Sequence, residues 1–126
     1  MKRVAVAIVL LSVAVIASVW AGVIFKSEMN ALLQSLQSVV DSAESDSDEA
    51  VLKKTEELLA LWNKSSGILH SLVMHEGMDD VEENITALPL LLEHSDREEF
   101  KIKCIEAINR IKNLINAEKL NLENIL

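Results

Sequence analysis

Glycine occurs three times in 126 residues, proline once, cysteine once, and tyrosine not at all. So few Gly and Pro leave a chain short of the residues that make tight turns, which argues against a hairpin-rich β protein. The single Cys104 cannot close an intramolecular disulfide and offers no CxxC redox or zinc pair. Its neighbours Ile102, Ile105 and Ile108 mark it as a small buried hydrophobe. There is no Gly-rich phosphate loop, no nucleophile elbow and no Cys–His or Ser–His pair in a recognisable context. The chain therefore reads as a non-enzyme without a cofactor. Basic residues are scarce too: residues 26–126 hold 10 Lys and Arg (all 12 except Lys2 and Arg3) against 20 Asp and Glu, a net charge of −10. Such a surface repels phosphate, so nucleic acid is not an expected partner, and no basic amphipathic face exists to lie on anionic lipid.

What the chain does have is one long apolar run. Val4 to Phe25 is VAVAIVLLSVAVIASVWAGVIF, 22 residues without a charge. At 1.5 Å per residue it reaches about 33 Å, enough for a hydrocarbon core of about 30 Å. Ser12 and Ser18 are tolerable there because a hydroxyl can bond back to its own helix, and Trp20 sits where an interfacial aromatic belongs. The rival, a cleaved signal peptide, has a shorter apolar region; Val19-Trp20-Ala21 is a poor cleavage site and the run continues past it. No Cys follows to carry a lipid. Lys2 and Arg3 precede the run and only Lys26 follows closely, which places the N-terminus in the cytoplasm and the rest outside. Residues 1–25 are thus a membrane anchor and 26–126 an extracytoplasmic domain of a single-pass cell-membrane protein. The span has Ala and Ser but no GxxxG motif, which leaves self-association open.

Beyond the span the periodicity is helical throughout, so the fold class is all-α. Met29, Leu32, Leu33, Leu36, Val39, Val40 and Ala43 form one apolar stripe, and it begins so soon after the span that the membrane helix is expected to continue into the domain. An acidic turn around residues 41–50 follows, with Asp46 and Glu49 spaced as a capping box. A second helix is expected from Asp48 to about Glu76, with the stripe Leu52, Thr55, Leu59, Trp62, Ser66, Leu69 and Val73, widened by Leu58, Ile68 and Leu72 and weakened at Ser65-Ser66-Gly67. Trp62 on that stripe is read as a core anchor. A third helix starts near Asp79 or Asp80, carries Val81, Ile85, Leu88 and Leu92, kinks at Pro89 and ends at His94. Ser95 with Glu98 caps a fourth, whose stripe is Phe100, Cys104, Ile108, Ile111 and Ile115, supported by Ile102, Ile105 and Leu114. Shifting the sequence by 50 aligns Leu52, Lys53, Glu56, Leu58 and Leu61 with Ile102, Lys103, Glu106, Ile108 and Ile111. The expected architecture is a span running into a small antiparallel bundle of two αα-hairpins, similar to a short tetratricopeptide array.

In MHEGMDD, residues 74–80, a histidine and three carboxylates crowd around one glycine. Turn chemistry accounts for each residue. Gly77 is the type that ends a helix in the left-handed conformation, Asp79 with Glu82 is a capping box, and His75 suits a helix C-terminus. A metal reading needs His75 and Asp79 on one unbroken helix, and the motif lacks the second His of H-E-x-x-H. A site built from His70, His75, His94 and nearby acids is the remaining metal arrangement. Asn84-Ile85-Thr86 fits a glycosylation sequon but falls within a helix.

Together these features resemble the bacterial family catalogued as domain of unknown function 4363. The likeness rests on the basic start and single span, the acid-rich turn, the helix around Leu58-Leu59-Ala60-Leu61-Trp62, the pair His75-Glu76, and the tail Leu120-Asn121-Leu122-Glu123-Asn124-Ile125-Leu126. Gly77 and Pro89 depart from it. The resemblance implies a small membrane-tethered helical protein and brings no catalytic residue. Leu122, Ile125 and Leu126 are too apolar for a free tail and should either fold back on the bundle or enter a partner's groove. Trp62, His75, Glu76, Leu122, Ile125 and Leu126 are the candidate interaction residues. The expected role is an adaptor or scaffold for another envelope protein. The alternative is an extracytoplasmic sensor or ligand-binding domain whose acidic surface takes a cation or small molecule.

Overall fold

In the computed structural model the backbone is described for residues 1–72, 75–94 and 96–125, and side chains for the same residues except 70–72, 75–76 and 120–125. Five helices and no strand occur among them: α1 Lys2–Ser45, α2 Asp48–Leu72, α3 His75–Thr86, α4 Leu88–Glu93 and α5 Arg97–Ile125.

The first helix is one unbroken run of 44 residues, as its stripe predicts, and is roughly 66 Å long at the standard rise. Its two halves live in different surroundings. Residues 1–20 are exposed all round. From Phe25 onward one face is buried, through Met29, Leu32, Leu36, Val39, Val40 and Ala43. In the exposed half the Ser18 hydroxyl donates to the Ala14 carbonyl at 2.9 Å, which removes the polar cost of that side chain.

Helix α1 packs on α2 and on α5, while α5 also packs on α3 and α4, and α2 touches α3 and α4. Among the described residues α2 and α5 do not pack side by side, and the Arg97–Asp48 ion pair links their starts. The two expected hairpins are present, and the contact of first helix with last closes them into a four-armed antiparallel bundle whose third arm is α3 plus α4. The core runs along its axis. Trp62 and Phe100 are its largest members, with Met29, Leu32, Leu36, Leu58, Leu69, Met78, Ile85, Leu88 and Ile111 also fully enclosed. Truncating Leu32 or Leu36 to Ala costs about 2–5 kcal/mol through lost transfer energy and a residual cavity.

Several local expectations are corrected. The face that α2 buries is Val51, Thr55, Leu58, Trp62, Ser65 and Leu69. Leu52 and Ile68 are exposed instead, at 42% and 44%. Leu52 lies one residue, about 100°, from the centre of that face. Ser65 is admitted to the core because its hydroxyl donates to the Glu28 carboxylate on α1. On α5 the enclosed face is Phe100, Cys104, Ala107, Ile108 and Ile111, with Ile102 and Ile105 turned outward. The repeat offset is therefore 49, not 50: Val51, Thr55, Leu58 and Trp62 correspond to Phe100, Cys104, Ala107 and Ile111, all enclosed.

The caps follow the same offset. Ser47, not Asp46, caps α2, its hydroxyl accepting from the Ala50 amide at 3.3 Å. Asp46 instead closes α1, where its carboxylate accepts from the Ser42 hydroxyl at 2.8 Å. Asp96 caps α5 by accepting from the Glu99 amide at 3.1 Å, so that helix starts at Arg97. The expected cap Ser95 lies outside the described residues.

Gly77 does not end a helix. Gly77 and Asp79 both lie inside α3, whereas the second helix is expected to run to about Glu76 and the third to start near Asp79; residues 73 and 74 lie outside the described residues. What Gly77 provides is closeness: a Cβ there would overlap Leu114 Cδ2 on α5. Pro89 breaks the third arm as expected. It falls in the first turn of α4, where its missing N–H costs nothing, and Ala87 forms the joint. His94 ends α4 with its ring Nδ1 2.8 Å from the Leu90 carbonyl, the capping role its position suggests.

The two glycines give opposite tests. Gly67 is exposed in mid-helix with nothing within 4 Å of a would-be Cβ, so Gly67→Ala should stabilise by about 1 kcal/mol. Gly77→Leu must displace the Leu114 side chain from its place against α3 and should destabilise by about 1–3 kcal/mol. Chemical denaturation of both variants beside the parent protein reads the two signs directly.

Candidate functional site

The end of the bundle opposite the exposed half of α1 lies about 30 Å from Phe25, the length of the twenty residues up to Ser45. Three helix ends meet there. Arg97, at the start of α5, donates from one guanidinium nitrogen to the Ala43 carbonyl at 2.9 Å and from the other to the Asp48 carboxylate. One side chain thus satisfies a last-turn carbonyl of α1 and pairs with the first residue of α2.

Beside this tie the start of α2 and the broken third arm leave a hollow of about 420 Å³ lined by Asp48, Glu49, Leu52, Pro89, Leu92 and Glu93. Leu52, Pro89 and Leu92 supply an apolar floor, and three carboxylates form its rim. The floor is open because Leu52 is out of phase with the buried face of α2 and because Pro89 starts a new short helix instead of extending α3. Leu90, next to Pro89, is 59% exposed. An apolar trough with acidic edges suits an amphipathic segment that brings aliphatic side chains and positive charge. None of its six residues was a candidate from sequence. The signal available was phase: Leu52 is off the line through Val51, Thr55 and Leu58.

The candidates from sequence fall elsewhere. Trp62 is 1% exposed and is the core anchor its stripe implies. The backbone of His75 and Glu76 belongs to α3, and that of Leu122 and Ile125 to the last turns of α5, but their side chains lie outside the described set, as does Leu126 altogether. Among the described residues no three His, Cys, Asp or Glu gather as a metal site. The side chains of His70 and His75 lie outside the described set. The sequon residue Asn84 is buried at 6% exposure, so no glycan can be attached to it in the folded chain, and its Nδ2 finds no hydrogen-bond partner. On the outer surface Arg110 of α5 pairs with Asp80 of α3 at 2.9 Å, an exposed bridge worth at most about 1 kcal/mol.

Comparison with known families identifies the chain. The model for the family described as Domain of unknown function (DUF4363) matches residues 19–125, nearly the whole bundle and the end of the exposed half of α1. The chain belongs to that family. No curated protein and no solved structure matches.

Cys104 is fully buried, and desolvation pushes its thiol pKa from 9.0 up to about 12. The thiol should resist alkylation at pH 8 in the folded protein and react on addition of denaturant. Because the raised pKa belongs to the folded state, its contribution to stability is constant below pH 9 and lost as pH climbs towards 12. Denaturation midpoints measured across that window should fall in the parent and fall less in Cys104→Val.

Proposed function

We propose that this protein is a single-pass, membrane-anchored, non-enzymatic adaptor, with the N-terminus in the cytoplasm and the bundle outside. The observation that carries the reading is the state of α1. It contains the one helix stretch among the described residues long and apolar enough to cross a membrane, and none of that stretch is buried in the bundle. A core helix of a soluble protein would be covered by its neighbours. Here residues 1–20 stand free, fourteen of them Val, Ile, Leu or Ala, and burying such a surface in lipid removes about 25 cal/mol of unfavourable hydration per Å². Since the same helix continues into the core, the bundle stands upright on the bilayer and the acid-rimmed groove faces away from it.

The groove is where the adaptor meets its partner: a short basic amphipathic segment of another envelope protein. Aliphatic groups of that segment rest on Leu52, Pro89 and Leu92, and its Lys or Arg side chains lie against Glu49 and Glu93. The sensor alternative gains no specific support, because these carboxylates are spread along a rim and do not converge on one point.

A Lys/Leu-patterned helical peptide serves as a probe for titration against the full chain in phosphatidylcholine nanodiscs. Binding should weaken by about tenfold or more in Glu49→Lys/Glu93→Lys, the loss expected for roughly 1.4 kcal/mol, and Leu52→Glu should act likewise. Equal affinity in parent and variants would remove the groove from the account. Orientation is read separately in intact cells: a tag at the end of α5 should be cut by external protease, and a tag before Lys2 should not.

A further inference from the structure

At the base of the bundle, α5 returns to the junction where α1 passes from exposed apolar rod to buried core. Gly22, Phe25 and Lys26 of α1 share a hollow with Ile115, Glu118 and Lys119 of α5. The two helices run in opposite directions, because the start of α5 is tied to the end of α1 by Arg97. Helix α5 does not stop at this level. Its backbone stays helical to Ile125, six residues past Lys119, which is about 9 Å further along its axis. Continued antiparallel to α1 from the level of Gly22, that length reaches the level of its exposed half, which ends at Trp20, itself 68% exposed.

Composition changes at the same point. Between Arg97 and Lys119 nearly every turn of α5 carries charge, whereas Leu120-Asn121-Leu122-Glu123-Asn124-Ile125-Leu126 has four large aliphatic residues and one charge in seven. We infer that the last turns of α5 are a second membrane contact: the helical segment 120–125 sits in the interfacial layer of the leaflet next to the bundle, alongside the anchor. The partner is the lipid surface itself. An interfacial helix buries its apolar residues about 5–10 Å into the headgroup and acyl boundary, which matches the length of helix available below Lys119. The asparagines and Glu123 fit that layer better than the hydrocarbon centre, where a carboxylate is costly. With one net negative charge the segment gains nothing from anionic lipid, so the attraction is apolar and independent of headgroup charge. Two points of contact fix the tilt of the bundle, where a single span would leave it free to swing about its axis.

This inference rests on the reading of α1 as a bilayer anchor, and the experiment separates the two. Cys104 is enclosed and does not compete for label. Nitroxides are attached at Leu122→Cys, Val19→Cys and Asn63→Cys in the full chain reconstituted in phosphatidylcholine vesicles. Collision with oxygen, which concentrates in lipid, is compared with collision with an aqueous nickel chelate. The expected result is an oxygen-dominated signal at 122 and at 19 and a nickel-dominated one at 63, unchanged when phosphatidylglycerol is added. A nickel-dominated signal at 122 with an oxygen-dominated one at 19 overturns the second contact and leaves the anchor standing. Nickel dominance at both overturns the anchor and the inference together.

Discussion

The hydrogen-bond ladder of α1 passes without a break from residues that touch nothing in the protein to residues at the centre of its core. Packing against α2 and α5 supports the half from Phe25 onward, and the exposed half extends from it. No glycine-rich or proline-containing linker separates the halves, and Gly22 is accommodated within the helix. Since the same backbone serves both roles, the bundle cannot rotate relative to the rod without breaking the ladder. The ring of contacts, α1 to α2, third arm, α5 and back to α1, is built on that fixed axis.

Polar groups define the register of this ring more than its strength. Lys54 of α2 donates to the Ser38 hydroxyl of α1 at 2.9 Å, and Ser65 donates to Glu28 further along the same pair. Arg97 joins α5 to both α1 and α2. Each bond contributes about 1 kcal/mol net, small beside the buried apolar area, but a slip of one residue between α1 and α2 would leave Ser65 enclosed without its acceptor. On the other side Gly77 leaves room for the Leu114 side chain between α3 and α5.

Much of this was legible beforehand. The stripe on α1 named its buried residues almost completely, because one helix packed on two sides leaves a simple period. The third arm's Val81, Ile85, Leu88 and Leu92 were also in place, and Pro89 announced the break. The phase of α2 was harder: Val51 and Leu52 are equally apolar, and only the positions of α1 and the third arm decide which of the two is covered. Gly77 reads as a helix end but lies within α3, because glycine can end a helix or fit close to a neighbouring side chain, and sequence does not distinguish those uses. The groove escaped notice for a related reason. Its floor is made of residues that look like core but were left outside by phase and by the Pro89 joint.

Membership of the DUF4363 family places the bundle among related chains without assigning an activity. The proposed role follows from architecture: a rod for the bilayer, a bundle that holds its shape, and an acid-edged trough at the far end. All of it depends on α1 being one rigid piece. Amide hydrogen exchange of the full chain in lipid nanodiscs tests that point most directly. The account predicts slow exchange at every amide from Ala21 to Met29, continuous with the protection at Leu32 to Leu36. A rapidly exchanging stretch between Gly22 and Glu28 would mean that rod and bundle are joined by a hinge, contrary to the account.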